Sequence, residues 1–358
     1  MRKSNIELLR VLTMMGVIIL HFNNAYMGKA LFYVKNGSIN FYILYFIESL
    51  CICAVNLFIL ITGYFMCQNN KRYILKPLKL LAEVSFFSES TYVIKHLISG
   101  EPVISRELLY ALLPVNWFVI LYITLYFISP YLNIWIHCLS KKKMLNMIVI
   151  WGIIFSVYPT VLNFAEEIIW GGEKELSGLS SVGLYGSQYG YTIINFILCY
   201  LTGAYIRISD RKYYSLIKSL TLICGNVLIL STWALVDNYT GFSNERSAWA
   251  YCNPFVILLA VLIFLLFLQL EISANTFINS LAGGSFAVYL LHNNFVRFLP
   301  VEKIVSCNPC IMLLFVILSS AVIYTVCWLI GYFYEKMTRP IYMKLAKYIS
   351  FPVLDLSP

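Results

Sequence analysis

The sequence predicts an all-α, polytopic membrane helix bundle of about ten transmembrane helices. Three observations lead there. Hydrophobic residues make up 60% of the 358, and charged residues only 12%. That is about half the charged share of a soluble domain, so lipid must solvate much of the surface. Mean hydropathy is +0.77, and apolar runs recur along the whole chain with basic residues collected at their ends.

Each crossing needs about 20 apolar residues. The candidate spans are Ile6–Met27, Phe41–Met66, Pro77–Ile98, Val115–Cys138, Met147–Leu162, Tyr191–Ile206, Leu216–Val236, Pro254–Leu270, Ser280–Phe298 and Pro309–Tyr334. The fifth and sixth are short, which fits a different tilt or a partly re-entrant path. The start imitates a signal peptide, with Arg2 and Lys3 before an apolar run. Arg10 and His21 interrupt that run and no small-residue cleavage site follows, so it reads as a retained first helix. The expected organisation is one domain over residues 1–358, with the bundle at about 6–334 and a tail at 335–358.

Charge orients the bundle. Arg2, Lys3, Arg10, Lys71, Arg72, Lys76, Lys79, Lys141, Lys142, Lys143, Arg207, Arg211, Lys212, Lys218, Lys336, Arg339, Lys344 and Lys347 fall on one side, 18 of the 26 Lys and Arg. The positive-inside rule makes that side cytoplasmic. An even span count then puts both termini in the cytoplasm; the cell (plasma) membrane is the expected location. The longest outer loop, 163–190, carries Glu166, Glu167, Glu173 and Glu175; it reads as a solvated loop or as the entrance for a polar substrate.

The net charge of +9 belongs to this topology. No basic stretch is interleaved with aromatics in a soluble segment, so nucleic acid is not an expected partner; membrane lipids are. Most of the ten cysteines lie in apolar runs and read as small buried hydrophobes. Cys307 and Cys310 form a C-x-x-C in a predicted outer loop, where a disulfide is one option. No second pair completes a zinc set, and no metal is expected.

Ionisable groups inside a bilayer are costly, so each is a functional candidate. The first helix holds Glu7, Arg10 and His21. Arg10 and His21 are eleven residues apart, close to three whole turns, so they share one helix face about 16 Å apart along the axis. Glu7 can pair with Arg10 across one turn. Arg10 fits a snorkelling anchor as well as a phosphate-binding cation. His21 fits a polar helix end as well as a proton-transfer group. Together they suggest one long cavity with a cation at its inner mouth. Glu83 and Glu89, in an apolar span, could orient a histidine or receive a proton. His292 could assist catalysis, bind sugar or make a structural hydrogen bond. Glu48 falls in another apolar span. Trp117 suits an interfacial belt or a stacking platform for sugar, with Asn116 beside it.

Several motifs then converge. Asn5-Ile6-Glu7-Leu8-Leu9-Arg10 followed by His21 resembles the opening of the acyltransferase-3 family of membrane O-acyltransferases, which has Arg, ten residues, then His in its first helix. Leu57-Phe58-Ile59-Leu60-Ile61-Thr62-Gly63-Tyr64 resembles that family's second span ending in Ser-Gly-Tyr/Phe, with Thr62 in place of Ser. Lys71-Arg72-Tyr73-Ile74-Leu75-Lys76-Pro77 resembles its R-x-x-x-R loop, with Lys76 in place of the second Arg. Asn116-Trp117-Phe118 through Pro130 resembles its Trp-Phe span. Ser285-Phe286-Ala287-Val288-Tyr289-Leu290-Leu291-His292 resembles its late Tyr-Leu-x-His segment. The resemblance runs in order from about residue 5 to 335.

It implies an enzyme that takes an acyl group, usually acetyl, from cytoplasmic acyl-CoA and places it on a hydroxyl of a glycan or lipid-linked sugar at the outer face. Arg10, Lys71, Arg72 and Lys76 would hold the anionic end of acetyl-CoA. The pantetheine arm would thread the bundle. His21 would act as general base or become acylated, with Glu83 and His292 as further catalytic candidates and Asn116 and Trp117 at the acceptor. A transporter or flippase for a lipid-linked sugar or small solute is the alternative from another class, and a structural membrane subunit a third.

Overall fold

The computed structural model describes residues 3–170, 188–209, 215–240, 245–349 and 352–356. The side chains of Glu166, Glu167, Glu173 and Glu175 lie outside that set, as do Arg2, Arg211 and Lys212.

The chain is helical, with one two-stranded antiparallel sheet among the described residues. The first helix is α1 (Ser4–Asn23), followed by short α2 (Ala30–Tyr33), α3 (Ile39–Cys51) and α4 (Ala54–Met66). Strand β1 (Lys71–Arg72) leads into α5 (Leu75–Ser99), α6 (Ser105–Leu112), α7 (Trp117–Cys138), α8 (Lys141–Gly152) and α9 (Tyr158–Trp170). Then come α10 (Ile193–Ile208), α11 (Leu216–Thr240), α12 (Glu245–Ala248), α13 (Pro254–Gln269), α14 (Thr276–Gly283), α15 (Ser285–Val296), α16 (Val301–Val305) and α17 (Pro309–Tyr348). Strand β2 (Leu354–Asp355) pairs with β1.

Local chemistry sets many of the starts. Ser38, Asn116, Ser140, Thr192, Asn253, Asn275 and Asn308 each cap the helix they precede by accepting a backbone N–H. Asn253 and Asn308 are each followed by proline at the first helical position, where its missing N–H costs nothing.

Six stretches among the described residues are long and apolar enough to cross a membrane. The remaining expected spans have helical counterparts of a different kind. Helices α10 and α13 have 16 residues each, about 24 Å, less than a hydrocarbon core. Helix α5 carries Lys76, Lys79, Glu83, Glu89 and Lys95. The expected ninth span is broken between α14 and α15 at Gly284. The second, one of the six, is interrupted at Ile52–Cys53 between α3 and α4. Helix α8 passes into α9 through a π-helical turn, Ile153–Val157, just ahead of Pro159. Proline donates no backbone hydrogen bond, so the regular ladder is interrupted at this point. Helix α17 continues to Tyr348 with 40 residues, beyond the expected end of the last span.

The main buried cluster joins α1, α4, α10, α13 and α15. Helices α4 and α10 meet backbone to backbone: a Cβ on Gly63 would lie 2.1 Å from the Tyr200 carbonyl oxygen, and one on Gly203 2.1 Å from that of Leu60. Small residues allow this approach, which suits helix packing in lipid. A second cluster, around Phe22, Ala30, Phe41, Tyr45 and Val301, closes the end opposite the basic loops. All ten cysteines are free thiols, so Cys307 and Cys310 form no disulfide, and Cys307 donates to the Lys303 carbonyl.

Candidate functional site

A cavity of about 450 Å³ runs through the bundle between α1, α4, α5, α7 and α15. Helix α1 gives it one continuous stripe, Arg10, Met14, Val17 and His21, which its C-cap Asn24 extends, at helical spacings of three and four. The shared face inferred from the eleven-residue interval is therefore the face that lines the cavity. Arg10 pairs with buried Glu7 at 3.4 Å, and its guanidinium lies over Phe65.

At the other end of the stripe, His21 meets His292 of α15. Nδ1 of His21 and Nε2 of His292 share a hydrogen bond. The rings are coplanar within 5° with centroids 4.7 Å apart, an edge-to-edge pair. His292 is fully buried, and its Nδ1 lies 2.9 Å from the Val288 carbonyl. A carbonyl only accepts, so His292 Nδ1 carries a proton and, in a neutral ring, its Nε2 is the acceptor. His21 must then donate from Nδ1, which leaves the lone pair on its Nε2.

The other sequence-selected residues divide. Lys76 lines the cavity, with Nζ 3.1 Å from the Tyr122 hydroxyl and over the Tyr126 ring. Trp117 also lines it, packing against Tyr191 and Tyr251 while staying 38% exposed. Asn116 is used structurally: its Oδ1 caps α7 at Val119 and accepts the Tyr289 hydroxyl. Arg72 is 2% exposed. Its guanidinium donates to the carbonyls of Tyr126, Asn69 and Lys71 and to the Ser129 hydroxyl. Lys71 pairs with Asp355 of β2 at 3.1 Å. Neither lines the cavity: Arg72 pins the loop's own fold, and Lys71 holds the C-terminal strand. Glu83 is buried but lines a neighbouring cavity, away from the histidine pair.

The carboxylate on the main cavity is Glu48, which accepts from Asn23 Nδ2 at 2.8 Å. A carboxylate inside the apolar run Tyr42–Cys53 was the available signal, but no spacing tied it to the first helix. No group of three or more candidate metal ligands occurs among the described residues.

A helical membrane bundle with a polar-ended internal cavity and a histidine pair at one end of it is the architecture that emerges. Residues 3–337 match the family model described as an acyltransferase domain, acyltransferase-3. The chain belongs to that family of membrane acyltransferases. No curated protein and no solved structure matches it significantly.

Proposed function

We propose that the protein takes an acetyl group from acetyl-CoA at the basic face, which is cytoplasmic, and transfers it to a hydroxyl of an exported or cell-surface glycan from the opposite face. This places it in the plasma membrane with both termini in the cytoplasm. The observation that carries the reading is the single cavity with Arg10 and Lys76 toward one end and His21, paired to His292, toward the other.

The chemistry follows from the tautomers. Nε2 of His21 accepts the proton of the sugar hydroxyl as the oxygen attacks the thioester carbonyl carbon. The carbon–sulfur bond breaks, and the imidazolium returns its proton to the departing thiolate. Acylation of Nε2 followed by transfer uses the same nitrogen and the same geometry. His292 stabilises the charge that forms on His21 and holds its ring in place. Arg10 and Lys76 attract the donor's phosphates, and Trp117 offers the sugar an aromatic surface.

The broken helices α3–α4 and α14–α15 both reach this cavity through Ile52 and Gly283, and broken helices lining a cavity favour transport as the second reading. Purified protein in vesicles, supplied with labelled acetyl-CoA and a glycan, separates the two. An enzyme labels the glycan. A transporter moves its solute and leaves the acetyl-CoA intact.

A further inference from the structure

A second cavity, of about 430 Å³, lies between α5, α14, α15 and α17. It meets the first at Lys76, Leu80, Gly283 and Phe286, which line both. Each volume is in the range of small-ligand sites. Their linings differ. The first leads to the histidine pair. The second ends on Trp328 and Tyr332 and carries Lys79 with two carboxylates, Glu83 and Glu335.

The indole of Trp328 is held by its Nε1–H, which donates to the Ser280 carbonyl at 3.0 Å. Tyr332 stands one turn along, with ring centroids 6.0 Å apart. Close approaches at two glycines fix this wall. A Cβ on Gly284 would lie 2.5 Å from Trp328 Cδ1, and one on Gly331 2.3 Å from the Ala287 Cβ. Lys79 and Glu335 are 3.6 Å apart and the carboxylate side chain is 61% exposed. That is a loose surface pair, and a phosphate can replace the carboxylate. Arg72 cannot serve instead, because its buried guanidinium is engaged by the carbonyls of Tyr126 and Asn69 and by Ser129, and Lys71 lines neither cavity.

Resting on the acyl-CoA reading above, we infer that this second cavity binds the nucleotide end of the donor. The diphosphate lies at the junction, between Lys76 and Lys79. The pantetheine arm runs from there into the first cavity, and the purine base packs on Trp328 and Tyr332. Stacking of a base on an aromatic side chain is worth enough to be measured. Glu83, buried beside the base, accepts from an exocyclic amine or a ribose hydroxyl.

The test compares acetyl-CoA with acetyl-4′-phosphopantetheine, which lacks the nucleotide. Trp328→Leu should raise KM for acetyl-CoA about tenfold and leave both constants for the truncated donor unchanged, which also shows that the variant is folded. Trp328→Phe should restore the KM. Adenosine 3′,5′-bisphosphate should compete with acetyl-CoA in the wild type and lose potency in Trp328→Leu. An equal effect on both donors overturns the inference. So does an acetyl-CoA defect that added anionic phospholipid corrects, because the cavity is then a lipid site. Absence of transfer by the wild type from either donor is a different result, and it overturns the acyl-CoA reading itself.

Discussion

His21 and His292 are joined by a hydrogen bond whose direction the Val288 carbonyl fixes. Replacing His292 with Phe removes the acceptor for His21 Nδ1–H. The expected result is a fall in kcat of about 10²- to 10⁴-fold with KM for acetyl-CoA little changed, read from initial rates with each donor concentration. Arg72 behaves differently. Arg72→Ala strands several buried acceptors at once, a loss of about 3 kcal/mol or more when hydrogen bonds to a charged group are worth about 1.5–3 each. Arg72→Lys keeps the charge but not the fork. Both variants should melt earlier in detergent, while the protein that remains folded keeps its KM for acetyl-CoA. The sequence made Arg72 visible as a basic loop residue but hid its burial, because Tyr126 and Ser129 lie 54 and 57 residues away. The position of Glu83 was hidden in a related way: periodicity shows that a carboxylate lies in an apolar span, not which neighbour that helix side faces.

At the scale of elements, the α4–α10 crossing is the tightest built-in constraint. Gly63→Ala and Gly203→Ala each put a Cβ 2.1 Å from a backbone oxygen of the partner helix, so the backbones must separate. Overpacking of this kind costs about 1–3 kcal/mol. Fluorescence-detected size-exclusion thermostability should show both variants shifted down, and Gly225→Ala, where a Cβ meets nothing within 4 Å, unshifted. Helical periodicity along α1 was fully legible, since Arg10 and His21 do share the cavity face. The breaks at Ile52–Cys53 and Gly284 were not. Hydropathy alone averages across them, and only the Gly283–Gly284 pair hinted at one. The capping residues, by contrast, stand in the sequence where the helices begin, with Asn253-Pro254 and Asn308-Pro309 as the clearest pairs.

At the scale of the molecule, composition and charge pattern were enough for a membrane bundle, because lipid exposure demands them. The number of crossings was less accessible: among the described residues, six stretches meet the length and apolarity of a span unaided, and the rest are short, charged or broken. Native cysteines can test the orientation. Cys138 is exposed beside the Lys141–Lys143 end, and Cys310 is exposed at the start of α17. With intact cells, a membrane-impermeant maleimide should label Cys310 and spare Cys138; the reverse pattern would invert the bundle. Orientation matters because the cavity has a direction, from the cations Arg10 and Lys76 to the histidine pair. The most direct measurement reconstitutes the protein in vesicles with labelled acetyl-CoA on the basic side and a glycan acceptor on the other. Wild type should label the glycan, and His21→Ala should be slower by about 100-fold or more. Labelling by His21→Ala at the wild-type rate would contradict the account.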